Sequence, residues 1–136
     1  MANFHFELVS PEKLLFSGEV VQVDVPGAEG DFGVLAEHAP MVTTLRPGIL
    51  TVHGAGGEQK IVVLGGFAEV AAGGLTVLAE VAAAAEEIDR GMIAARIGEI
   101  ESRIAKMESG SELDRLIRQL DHFKEVDRHL TGSAAH

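Results

Sequence analysis

The sequence predicts a β + α chain: an N-terminal β-sandwich or flattened barrel over residues 1–85, then a C-terminal antiparallel two-helix hairpin over residues 86–136. Three observations carry this. Glycine is concentrated at one end, with 12 of the 16 glycines before residue 86. Charge changes at the same point, from 3 Lys and Arg against 10 acids before it to 8 against 11 after it. The apolar period also changes there, from alternation to steps of three and four.

Phe4, Phe6 and Leu8 alternate with His5 and Glu7, as a half-buried strand requires. Val21, Val23 and Val25 alternate with Gln22 and Asp24 and stop at Pro26. Pro47-Gly48 predicts a type II turn, because proline presets φ and glycine supplies the positive φ that follows. Ile49 to His53 and Glu58 to Leu64 flank Gly54-Ala55-Gly56-Gly57 as a hairpin. Phe67 to Ala71 and Leu75 to Ala79 flank Gly73-Gly74 as a second one. Short strands separated by such turns indicate the sandwich.

Ala82 to Ala85 predict a switch to helical periodicity. Ile93, Ile97, Ile100, Ile104 and Met107 then form one apolar seam, and Leu113, Leu116, Ile117, Leu120, Phe123 and Leu130 form another. Between them, Gly110 suits a helix C′ position, and Ser111 with Asp114 approximates a capping box. A short connection makes the helices antiparallel. Gly91 and Gly98 each cost roughly 1 kcal/mol against Ala within a helix. The i,i+4 pairs Glu99–Arg103 and Asp114–Arg118 return only about 0.2–0.5 kcal/mol each. The hairpin therefore depends on packing against something else.

Composition narrows function. With a formal net charge of −10, the chain is a poor nucleic-acid binder, because that affinity rests on Lys and Arg neutralising phosphates. The absence of cysteine removes disulfides, thiolate nucleophiles and cysteine metal sites together. The start Met1-Ala2-Asn3-Phe4-His5 has no export pattern. Between Ile61 and Ala85 the charges Glu69 and Glu80 and two glycine pairs interrupt any membrane-length run, so the chain is not membrane-inserted. No serine has a nucleophile-elbow context, and His5, His38, His53, His122, His129 and His136 make no metal-binding spacing. No catalytic residue, metal or cofactor is therefore expected. Glu86, Glu87 and Asp89 read as acids placed at a helix start by its dipole.

The stretch from Pro26 to Pro40 holds Gly27, Gly30 and Gly33 at every third residue, around the acids Glu29 and Asp31. That spacing describes a shaped loop. No Gly-Lys-Ser/Thr follows, so it is not a phosphate cradle. On its own the loop could be a structural turn with Asp31 solvated.

Gly30-Asp31-Phe32-Gly33-Val34-Leu35, then His38-Ala39-Pro40 and Leu45-Arg46-Pro47-Gly48, resemble the epsilon subunit of bacterial rotary ATP synthases. Gly65 to Val70, Leu75 to Ala79 and the helical tail extend the likeness over almost the whole chain. Ala36 stands where the family usually has proline. The resemblance implies a non-catalytic central-stalk rotor subunit, peripheral on the cytoplasmic face of the bacterial inner membrane. In such subunits the sandwich joins gamma to the c-subunit ring.

The family likeness also assigns roles to residues. Glu29, Gly30, Asp31, Phe32 and Gly33 would meet the polar loops of the c ring. His38 would lie toward gamma, with a satisfied, partly buried histidine as the other reading. Through the C-terminal helices the chain would contact the alpha and beta subunits. Arg115, Arg118, Lys124 and Arg128 would meet acidic loops of beta when the tail extends and restrain ATP hydrolysis modestly, the other reading being that they solvate a resting hairpin. Some relatives bind ATP through Ile/Leu-Asp-x-x-Arg-Ala. Here Ile88-Asp89-Arg90-Gly91 is followed by Met92, so ATP binding is not expected. The alternative from another class is a free-standing β-sandwich ligand-binding or adaptor module with a dimerising helical tail.

Overall fold

The computed structural model describes residues 3–37, 39–54 and 56–134, with side chains to residue 130. The chain divides into two compact units, Met1–Ala85 and Glu86–His136.

The first unit holds eight strands: β1 Phe4–Val9, β2 Leu14–Val20, β3 Gln22–Gly27, β4 Gly30–Val34, β5 Met41–Gly54, β6 Gly57–Ala71, β7 Gly74–Ala79 and β8 Ala82–Ala84. They run in the order β2-β1-β7-β6-β5-β3-β4, with β8 pairing β6. The β1–β7 pair is parallel and the other pairs are antiparallel. The end strands β2 and β4 do not pair with each other among the described residues, so the sheet is an open sandwich and not a closed barrel.

β5 and β6 are long enough to serve both layers. The second half of β6 pairs β7, while residues 61–63 of its first half pair β8. This corrects the expected turn at Pro47-Gly48 and the expected break at Gly65-Gly66. Both strands continue through these sites: Leu45 faces Gly66, pairing lapses at the next position, and Pro47 faces Leu64. Gly65 and Gly66, at φ +108° and +128°, absorb the bend without ending the strand. Inside, Phe6, Leu8, Val23, Leu50, Val63 and Val77 are fully buried. Each such side chain contributes about 1.5–3 kcal/mol through removal from water. The Phe6 and Phe16 rings add a tilted contact at 5.3 Å.

The alanine run is also corrected. Ala82–Ala84 form β8 against Ile61–Val63, and Ala85 N–H donates to the Lys60 carbonyl. Helix propensity is a weak preference, whereas the backbone groups along β6 need partners.

The second unit consists of α1 Arg90–Ala105 and α2 Ser111–Ala134. Asp89 caps α1, its Oδ1 accepting from the backbone N–H of Gly91 at 2.8 Å and Met92 at 3.3 Å. Of the three acids expected at the helix start, only Asp89 acts on the helix end, and Glu86 and Glu87 lie in the turn before it. Gly110, at φ +152°, sits at the start of α2, where its carbonyl accepts from Asp114 N–H. The end of α1 is instead closed by Lys106. Arg90–Asp127 at 3.8 Å, Lys124–Glu101 at 3.5 Å and Arg103–Glu112 at 4.0 Å link the helices in an antiparallel sense. Ile93, Ile100, Leu116, Phe123 and Leu130 of the expected seams are buried. Val126 joins them, and Ile117 is 41% exposed. No helix among the described residues is long and apolar enough to cross a membrane.

Candidate interaction site

The glycine-spaced stretch forms the β3–β4 hairpin, in which Gly27 pairs with Gly30 and only Ala28 and Glu29 make the turn. The hairpin is held from beneath. A Cβ on Gly48 of β5 would lie 2.6 Å from Pro26 Cβ, so the lack of a side chain lets β3 cross β5 at this point. A Cβ on Gly27 would lie 2.9 Å from the Phe32 ring, so that ring covers the hairpin's own backbone. Phe32 is partly buried against the core, while Glu29, Gly30, Asp31 and Gly33 are exposed.

Three contacts tie the tip to β5. Ala28 N–H donates to the Thr44 carbonyl at 2.9 Å, and Arg46 Nη1 donates to the Gly27 carbonyl at 2.5 Å. Arg46 Nη2 donates to Asp31 Oδ1. The Arg46 side chain is only 15% exposed and that of Asp31 is 74% exposed, so a largely enclosed cation anchors an outward-facing carboxylate. Sequence reasoning missed this role of Arg46. A signal existed in the scarcity of cations, since Arg46 is one of only three before residue 86.

At the other end of β3, Asp24 Oδ2 lies 2.8 Å from His53 Nε2, and Gln22 Nε2 donates to Asp24 Oδ1 at 2.6 Å. Glu58 Oε2 lies 3.6 Å from His53 Nδ1, and Lys60 Nζ lies 3.6 Å from Glu58. Burial pushes the Asp24 carboxyl up, but the hydrogen bonds from His53 and Gln22 and the charges of His53 and Lys60 outweigh it. The net direction is below the usual carboxylate value. This cluster joins β3, β5 and β6 and was not anticipated from sequence.

A further surface crosses the outward face of the sheet. Val9 of β1 stands beside Leu78 of β7, and Leu78 beside Phe67 of β6. Directly paired residues share a face. The three therefore form one lateral row, and they border a groove with Pro11. Phe67 and Leu78 are each 53% exposed. Alternation alone could not reveal the row, because it joins residues from three strands that only the register aligns.

On α2, Arg115 lies 3.6 Å from Glu112, and Lys124 is paired with Glu101. Arg118 and Arg128 are exposed and make no ion pair among the described residues. His38 lies outside the described residues. The structure thus gathers residues 29–33 at one hairpin, and distributes the four α2 cations along a separate unit.

The profile of the ATP synthase, Delta/Epsilon chain, beta-sandwich domain matches residues 3–85. Over 136 residues the chain is 61% identical to the ATP synthase epsilon chain of Rhodopseudomonas palustris strain BisA53 and 60% identical to that of Nitrobacter winogradskyi, each alignment covering 100% of both chains. Among solved structures it resembles a chain of the Euglena gracilis mitochondrial ATP synthase OSCP/F1/c-ring assembly, at 27% identity and a TM-score of 0.71. That likeness covers 100% of this chain and 83% of the other. A chain of the Tetrahymena thermophila mitochondrial ATP synthase central stalk and c ring shares the fold at 13% identity, with a TM-score of 0.60 and coverage of 95% and 94%.

Proposed function

This chain belongs to the ATP synthase delta/epsilon-chain family, and we propose that it is the non-catalytic rotor subunit that joins gamma to the c ring on the cytoplasmic face of the bacterial inner membrane. The observation that carries the reading is the apolar row of Val9, Leu78 and Phe67. Two large side chains half exposed on the outer face of a folded sheet leave apolar surface that a protein partner would remove from water. Gamma would cover this groove, and the β3–β4 tip would meet the polar loops of the c ring.

The C-terminal helices would restrain ATP hydrolysis through the alpha and beta subunits, and only modestly. From Glu112 to Arg128, four cations stand against five acids. Two of those cations, Arg115 and Lys124, are paired within the hairpin. Exposed Arg118 and Arg128 remain to meet acidic loops, and such pairs are worth about 1 kcal/mol or less each.

The test is capture from detergent-solubilised membranes with the tagged full-length chain. Alpha, beta, gamma and c should accompany the wild type. Phe67→Asp with Leu78→Asp should lose gamma while the circular dichroism spectrum is unchanged. A wild-type chain that returns as a homo-oligomer without gamma would instead favour a free-standing adaptor.

A further inference from the structure

We propose that Arg46 is a positioning residue for the β3–β4 tip: it presents the tip preformed and takes up the charge of Asp31, leaving Glu29 as the acid that recognises a basic group on the partner. The partner implied is a polar loop carrying a cation, and its assignment to the c ring rests on the reading above.

The geometry separates the two acids, although they are two positions apart. Asp31 is bonded to Arg46, which also holds the Gly27 carbonyl. One guanidinium therefore spans both arms of the hairpin, from the end of β3 to the start of β4. Two parallel donors fixed in a planar fork impose an orientation that a flexible ammonium does not. The Ala28 N–H bond to Thr44 fixes the turn from the same strand. Glu29 stands in the turn, exposed, with no ion pair or hydrogen bond among the described residues. An approaching cation would have to compete with Arg46 for Asp31, whereas Glu29 offers a full uncompensated charge. A tip already ordered before docking also loses less entropy on binding.

The test has two parts. In the isolated full-length chain, amide exchange at Ala28 to Asp31 should quicken about tenfold in Arg46→Gln, the scale of a lost charge-assisted hydrogen bond. Arg46→Lys should restore only part of the protection. Unchanged exchange in Arg46→Gln, or full restoration by lysine, overturns the positioning role. In the second part, binding to the solubilised gamma–c assembly is followed as ionic strength rises. Glu29→Gln should weaken the salt dependence more than Asp31→Asn does, and the reverse order overturns the division of labour between the acids. If the wild-type chain does not bind that assembly at all, the rotor reading fails, and the exchange measurement still decides the role of Arg46.

Discussion

Gly66 is the position where the sandwich tolerates a side chain least, and Gly66→Ala should destabilise the fold strongly. Its φ of +128° is a region that a residue with a Cβ occupies at a cost of about 1–3 kcal/mol. The added Cβ would also lie 2.1 Å from the Leu78 carbonyl oxygen and 2.8 Å from Ala79 Cα. Both are backbone atoms and cannot rotate away. An ordinary contact needs roughly 3.5 Å, so β6 and β7 must part by on the order of 1 Å. Such overpacking adds about 1–3 kcal/mol. The sum is about 2–6 kcal/mol, and at roughly 4 °C or more per kcal/mol the melting temperature should fall by about 8 °C or more.

Gly73→Ala isolates the backbone term. Gly73 has φ +84°, and a Cβ there would meet nothing within 4 Å. Only conformational strain of about 1–2 kcal/mol applies. Thermal melts of the two variants followed by circular dichroism are the assay. If Gly66→Ala melts within about 2 °C of Gly73→Ala, the close approach at Leu78 is not what fixes glycine here. The site bears on the proposed gamma contact, because the same approach sets Phe67 and Leu78 side by side in the groove.

Asp24→Asn should flatten the acid limb of the stability curve. The folded carboxyl titrates below its ordinary 3.8, so its added stability is present above that pH and is lost as pH falls through the folded value. The stability gap between wild type and variant should close below about pH 3.8, and a gap that widens there would contradict the assignment. Asp89→Ala should cost about 1 kcal/mol, confined to the start of α1, and faster amide exchange at Gly91 and Met92 with the sandwich melt unchanged is the check. Truncation after Ala85 should leave assembly and proton-coupled synthesis nearly intact and raise hydrolysis only a few-fold, whereas a roughly hundredfold rise would mean a strong inhibitor.

Much of the fold was legible because its signals are local. Alternation at Phe4, Phe6 and Leu8 and the three-and-four steps of Ile93, Ile97 and Ile100 each report on a few neighbouring residues. The misreadings occur where one local signal serves two structures. Pro-Gly and Gly-Gly mark turns, but they also let a long strand bend, and only the pairing of Leu45 with Gly66 and Pro47 with Leu64 shows which. An alanine run favours helix until an unsatisfied strand edge lies beside it. Gly110 stands between two helices and suits both ends, and its φ and the Asp114 bond assign it to α2.

The candidate site divides along the same line. The loop from Glu29 to Gly33 could be read directly, since its glycine spacing is local. What the tip offers a partner could not, because the counterion of Asp31 lies 15 positions away on β5. The scarcity of cations gives that pairing its weight. Of the three Lys and Arg in the first unit, Arg46 is committed to Asp31 and Lys60 to Glu58, against ten acids. In the second unit, Arg115 and Lys124 are likewise engaged with Glu112 and Glu101. Little positive potential is therefore left to steer this chain toward an acidic surface. On the proposed rotor reading, the outward groups of the first unit that would meet partners are Glu29, for a basic loop, and Phe67 with Leu78, for an apolar surface.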